Sequence, residues 1–432
     1  MKSESQSFSG SSRLRMSFIV LFVALVLGYV FTSVTVWTTD SRFLTISRYS
    51  RVSIHRDLVL GKGTAPEQYR IGGFMLIEHF FKYFPLKWFD NYNENLSNLL
   101  TDEAAWTPEI MKSANYMYTE ANKQELIASI NNTIDSILED LFKDSVLAQN
   151  LLKNLIGEIR WQDYVSDVKR TALLIGNLLP SDIRSYLDPD SDETRIMNGY
   201  FNSRFFFSSL LYILIYFYAR CFLSRPLSVF SMFTFAAILP FVTQEFLQAE
   251  ALYSVCIFTA SLLAMLKRRT GIILTLLIIL GCTARPDHAL FISGIFCLYY
   301  GLDALRVRKI STLVHGIVLL SIPVIATLFL KNIVYPYAEY YVDVFQFGFN
   351  FAFIWSWIFP SIFLCIPLVF SFKLRQIEWY RKTWIWVIPF TILNFAVGKT
   401  FDVRLFLPVL VYFIPLTIVG IVDATRNCDE AI

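Results

Sequence analysis

The chain has 432 residues, of which 55% are hydrophobic, 16% aromatic and only 17% charged, with a formal net charge of +3. A soluble chain of this length carries more charge, and here the apolar residues come in blocks, so composition argues against an ordinary soluble enzyme and for a membrane protein. No basic patch with interleaved aromatics suggests nucleic acid as a partner.

A bilayer core of about 30 Å takes about 20 apolar residues in helix. Met16 to Trp37 supplies such a run without a charge. Arg13 and Arg15 precede it as in a signal peptide, but the run is too long for an h-region and no A-x-A-like site follows, so it reads as a permanent first span. From Phe205 onward, apolar runs at 205–223, 227–243, 249–266, 270–284, 288–305, 310–330, 348–372, 383–398 and 404–423 predict nine more spans. The expected fold is all-α, a polytopic bundle of about ten transmembrane helices. Prolines such as Pro240, Pro323 and Pro415 interrupt several runs, which membrane helices tolerate where neighbours satisfy the freed carbonyls.

Short loops set the orientation, because Lys and Arg favour the cytoplasmic side. One set of connections carries twelve basic residues, from Arg220 and Arg225 through Lys267–Arg269 and Arg306, Arg308 and Lys309 to Lys373, Arg375, Arg381 and Lys382. The alternate set carries four: Arg285, Lys331, Lys399 and Arg404. Both termini are therefore expected in the cytoplasm. The chain divides into a cytoplasmic amino terminus with the first span (1–37), a first external loop with an interfacial helix (38–89), an external helical insertion (90–204), a nine-helix transmembrane domain (205–423) and a cytoplasmic tail (424–432).

All six cysteines lie in or beside spans or in the tail, so the external part is no disulfide-stapled module, and no C-x-x-C pattern suggests a metal or redox centre. Residues 71–89, IGGFMLIEHFFKYFPLKWF, are too short and too interrupted by Glu78, His79 and Lys82 to span; they read as a helix lying along the outer surface, anchored by Phe and Trp. Within 90–200, Leu126, Ile127, Ile130, Ile134, Ile137, Leu138 and Leu141 recur at three- and four-residue steps, which predicts amphipathic helices and offers a surface to a protein partner. Asn95 and Asn131 begin N-x-S/T sequons, which matter only on a eukaryotic secretory route.

Unusual polar residues gather on the expected outer side: Asp40 after the first span, Glu245 and Glu250 in one turn, Arg285, Asp287 and His288 in TARPDHAL, and Lys399, Asp402 and Arg404 in GKTFDVRLFLP. Ionisable groups at the ends of membrane helices are costly to bury and tend to line a cavity or face water. Tyr69 and Arg70 stand just before the interfacial helix.

An acidic residue after the first span, a surface helix in the first long outer loop and then closely spaced hairpins resemble the GT-C superfamily of membrane glycosyltransferases. The segments APEQYRIGGFMLIEHFF, TARPDHAL and FDVRLFLPVL carry the resemblance, which covers nearly the whole chain apart from 90–200. It implies transfer of a sugar from a polyprenyl-phosphate donor to an acceptor on the outer face of the membrane, in bacteria the cytoplasmic membrane. An inverting transfer needs a carboxylate base, for which lone Asp40 or Asp57 is available, and cations to hold the leaving phosphate, for which Arg70, Arg285 and Arg404 are available. Tyr69, Glu245, Asp287 and His288 complete the expected substrate-binding set. A Gly-rich nucleotide loop is absent, as suits a lipid-phosphate donor, and no cofactor is expected. A non-catalytic scaffold and a lipid or solute transporter are the alternatives; the near absence of charge in the middle of the spans weighs against the transporter.

Overall fold

The computed structural model describes residues 10–43, 46–88, 191–242, 248–338, 345–352, 376–398 and 403–429, and among these every regular element is helical. In chain order they are α1 (Gly10–Phe43), α2 (Ile46–Val59), α3 (Ile71–His79), α4 (Asp192–Ala219), α5 (Arg225–Val242), α6 (Ala249–Leu266), α7 (Ile272–Ala284), α8 (Pro286–Phe296), α9 (Leu302–Val307), α10 (Ile310–Phe329), α11 (Phe347–Ala352), α12 (Glu378–Thr383), α13 (Val387–Val397) and α14 (Leu407–Asp429). A π-helical turn, Cys297–Gly301, joins α8 to α9, and a second, Leu330–Val334, extends α10.

The helices pack as a membrane bundle does. α1 lies along α4, and Gly28 permits the approach: a Cβ there would collide with the Ser209 hydroxyl and press on Ser208. Small residues at such crossings let backbones come close where lipid supplies no hydrophobic drive between helices. α1 buries Val20, Ala24 and Phe31 and exposes Phe18 (69%) and Phe22 (60%), a face that suits hydrocarbon rather than water. α14 separates two apolar cores: Leu407, Leu410, Val411 and Ile414 face the one built on α1, α4 and α5, while Val409, Tyr412, Phe413 and Leu416 face the one built on α7, α8 and α13.

Among the described residues four helical stretches are long and apolar enough to cross a membrane alone: Ser17–Val36, Pro286–Val307, Ile310–Val334 and Arg404–Asp423. That is fewer than the ten expected. The runs at 227–243, 249–266 and 270–284 form apolar helices of reduced length, Arg225–Pro240, Glu250–Leu266 and Ile272–Ala284. The run at 205–223 is the second half of α4, whose first half is polar; it starts at Asp192 with the Ser191 hydroxyl accepting from the Thr194 amide at 3.1 Å and with Asp192 and Glu193 in the first turn, as helix N-termini favour. The run at 383–398 forms a 3-10 turn, Trp384–Trp386, and α13, and follows directly on α12. Most of 348–372, and the periodic segment 90–190, lie outside the described residues.

The segment expected at the membrane surface is a short helix and a strap. α3 buries Gly73, Phe74 and Ile77. Phe80, Tyr83 and Leu86 stand exposed. Trp88, half-buried, is tied to the bundle: its amide donates to Asn198 Oδ1 and its indole N–H to Asn202 Oδ1, both at 2.9 Å. Asn202 in turn donates to the carbonyls of Phe81 and Leu86, each at 3.2 Å, so two asparagines of α4 hold the whole strap.

α6 gives the bundle its long axis. Glu250 sits in its first turn and Met265 fifteen residues on, roughly 22 Å at 1.5 Å per residue. At the Met265 end the Tyr300 hydroxyl donates to the Met265 carbonyl at 2.6 Å, and Lys382 pairs with Asp303 at 2.6 Å. At the Glu250 end lie Arg70 and the Arg285 turn.

Candidate charged site

The Glu250 end collects charge from four separate parts of the chain. Arg70, the residue before α3, donates from Nη1 to Glu250 Oε1 at 2.8 Å. It is positioned by a wound loop: the Gly63 amide donates to Gln68 Oε1 at 2.7 Å and Gln68 Nε2 donates to the Leu58 carbonyl at 3.0 Å, which folds 58–68 onto itself. Gly72 then allows α3 to press on α6 and α7, because a Cβ there would overlap the Thr283 hydroxyl and lie 2.9 Å from the Tyr253 ring. Glu67 joins from the same loop and accepts from Gln248 at 3.4 Å.

Arg285 forms the break between α7 and α8, with φ −148° and ψ 100°, and Pro286 starts the next helix at its first position. The extended residue turns its guanidinium back on Asp287, with Nε 3.3 Å from Oδ1 and Nη2 2.7 Å from Oδ2, a two-pronged pair. Asp287 also lies within electrostatic reach of Arg70. Its side chain is 29% exposed, against 10% for Arg285 and 9% for Glu250, so it is the more open of the two ion-paired carboxylates. His288 is 2% exposed, 4.0 Å from Asp287 Oδ2, and packs between the rings of Phe258 and Phe390.

Burial opposes the charge on Arg70, but Glu250, Asp287 and Glu67 outweigh it and hold its guanidinium above the ordinary arginine range. The site is thus a set of ions kept ionised by one another rather than by water. Arg404, at the entry to α14, is within electrostatic reach of both Glu250 and Arg204.

Of the residues expected to act together, Arg70, Arg285, Asp287, His288 and Arg404 are therefore gathered at one end of the bundle. Tyr69 is not: it is buried against Ala65 and Leu330 and its hydroxyl donates to the Ala338 carbonyl at 3.2 Å, so it fastens the loop. Asp57 is exposed on α2, where its carbonyl accepts from the Lys62 amide at 2.8 Å. The side chain of Asp40, and all of Glu245, Lys399 and Asp402, lie outside the described residues. The site adds Glu67 and Glu250 as partners: sequence placed Glu250 on the outer side but outside the expected binding set, and did not single out Glu67.

A second buried polar group was hidden in the sequence. His55 of α2 is fully buried, with Nδ1 3.2 Å from the Tyr200 hydroxyl and Nε2 3.1 Å from Glu78 Oε2. Lys82 pairs with Glu78 and lies 3.5 Å from Asp192, and Arg56 pairs with Glu193 at 2.6 Å. Burial pushes the His55 imidazole below its ordinary value, against the pull of Glu78. Burial would raise Glu78, but hydrogen bonds from Lys82 and His55 prevail and lower it. An acidic and a basic residue four apart in an otherwise apolar stretch, Glu78 and Lys82, were the only sequence signal for it.

No protein-family model, no curated protein and no solved structure matches the chain. The fold and the charged site are consistent with a helical integral membrane protein carrying ionised groups at one end of its bundle.

Proposed function

We propose that this protein is a membrane glycosyltransferase with about ten spans and both termini in the cytoplasm, taking a sugar from a polyprenyl-phosphate donor at the outer face. One observation carries the reading: Arg70, Glu250, Arg285, Asp287 and His288, from three distant stretches of sequence, meet at one end of an apolar bundle. In the transfer, the acceptor hydroxyl oxygen attacks the anomeric carbon, the bond from that carbon to the phosphate oxygen breaks, and the hydroxyl proton goes to a carboxylate. Arg70 and Arg285 hold the negative polyprenyl phosphate that leaves. The carboxylate is the partly open Asp287, with Asp40 the alternative from sequence; exposed Asp57, tied to no member of the cluster, is the weaker choice.

The test is transfer from a panel of polyprenyl-phosphate hexoses in proteoliposomes. Asp287→Asn keeps the shape and removes the proton acceptor, so turnover per folded molecule falls by roughly 10²-fold or more, beyond the stability lost as Arg285 gives up its charged partner. Loss confined to Asp40→Asn would move the base to the last turns of α1. No transfer by the unaltered protein from any donor would sink the reading.

A second reading is favoured by one feature: both arginines are already answered by carboxylates of the same cluster. In a non-catalytic scaffold these pairs would only fasten α3, α6 and α8, and the strap at Trp88 would present residues 90–190 to a protein partner.

A further inference from the structure

Two turns at the opposite end of the bundle share an unusual backbone. The helices α6 and α9 are each closed by an arginine in the left-handed conformation, Arg268 at φ 55° and Arg308 at φ 56°. The hydrogen bonds are the same in both. Arg269 N donates to Ala264 O at 2.7 Å and Arg268 N to Met265 O at 3.0 Å, while Lys309 N donates to Ala304 O at 2.8 Å and Arg308 N to Leu305 O at 3.4 Å. This is the Schellman closure, whose left-handed position normally takes glycine because a Cβ is disfavoured there. Strain kept at two equivalent positions calls for a role that the side chain performs.

The surroundings say what that role is. Lys267, Arg268, Arg269, Arg306, Arg308 and Lys309 are all exposed. Directly beside them, Ile272 (79%), Val307 (77%) and Ile310 (71%) are exposed too. Cations flanked by open apolar side chains fit the boundary between hydrocarbon and headgroups, and Arg308 and Lys309 form the whole connection between two helices of membrane-crossing length. Both turns follow from the Met265 end of the bundle: Tyr300, in the π turn that leads into α9, bonds the Met265 carbonyl at 2.6 Å, and Arg268 is within electrostatic reach of Tyr300. The nearby carboxylate of Asp303 is engaged by Lys382 at 2.6 Å and so does not neutralise them.

We propose that these two turns form a binding site for the headgroup of an anionic phospholipid, independent of the charged site at the other end. Glycine fits both left-handed positions, so Arg268→Gly with Arg308→Gly removes two of the six cations, those at the left-handed positions, without straining the fold. Phosphatidylglycerol and phosphatidylcholine are titrated against the full-length protein in detergent and bound lipid is read by native mass spectrometry. The unaltered protein prefers phosphatidylglycerol; the double variant loses roughly five-fold in that affinity for each arginine, keeps its weak binding of phosphatidylcholine, and melts at the same or a higher temperature. Unchanged phosphatidylglycerol affinity overturns the proposal. So does a lower melting temperature in lipid-free detergent, which would make the arginines helix caps and nothing more.

Discussion

Arg70 Nη1 and Glu250 Oε1 are 2.8 Å apart although the residues are 180 positions apart in the chain, and this pair ties the loop before α3 to the first turn of α6. Neither side chain is open to water, with 18% and 9% exposed.

Breaking such a pair from one side strands the other charge. Glu250→Gln should destabilise the protein by about 3 kcal/mol, whereas replacing both residues with apolar ones of similar size should recover most of the loss. Apparent melting temperatures of the two variants in one detergent decide this. Equal losses for single and double variants would show that the pair contributes little beyond its packing.

Acid should loosen α2. The folded His55 imidazole prefers its neutral form and titrates below its ordinary 6.5, so its contribution is complete above that value and is lost as pH falls beneath it. Glu78, held below the ordinary carboxylate range, fails only at still lower pH. Hydrogen exchange of residues 51–60 should therefore accelerate relative to α14 as pH falls below 6.5, and this acceleration should vanish in His55→Gln. Greater protection on acidification would mean that attraction to Glu78 outweighs burial.

The strap depends on Asn202 more than on Asn198. Asn202→Leu leaves the Phe81 and Leu86 carbonyls and the Trp88 indole without their partner, at about 1–3 kcal/mol for each group that stays buried. Asn198→Ala loses the one bond to the Trp88 amide. Limited proteolysis at 81–88 should speed up strongly in the first variant and slightly in the second; the reverse order would discard this account of the strap.

Gly72 is a contact point, and a methyl group there meets Thr283 and the Tyr253 ring. Gly72→Ala should lower the melting temperature and weaken whatever the Arg70 cluster binds, and Thr283→Ala in the same chain should restore much of both. Failure of that rescue would locate the clash at Tyr253 instead.

Arg285→Lys keeps the charge but not the two-pronged geometry on Asp287. Under the glycosyltransferase reading, the Michaelis constant for donor should rise by about ten-fold while the melting temperature changes little. A loss of stability with no change in donor binding would favour the scaffold.

Apolar blocks such as Met16–Trp37 and Ile310–Leu330 were legible in the sequence, because hydrocarbon thickness sets the run length and hydropathy needs no partner to be read. The break at Arg285-Pro286 was legible too, since a charge interrupts the apolar run there and proline is favoured at the first position of the next helix. Span number was legible only in part: among the described residues four stretches are long and apolar enough to cross alone, α4 fuses polar and apolar halves into one helix, and α5, α6 and α7 form shorter apolar helices whose ends depend on their neighbours. The same limit applied to the polar residues. Glu250 gives no sign along the chain of its partner Arg70, 180 positions away, Gly72 looks ordinary, and His55 and Tyr200 lie 145 positions apart; only packing α3 against α6, α7 and α4 removes these groups from water and turns a scattered set of charges into paired ones.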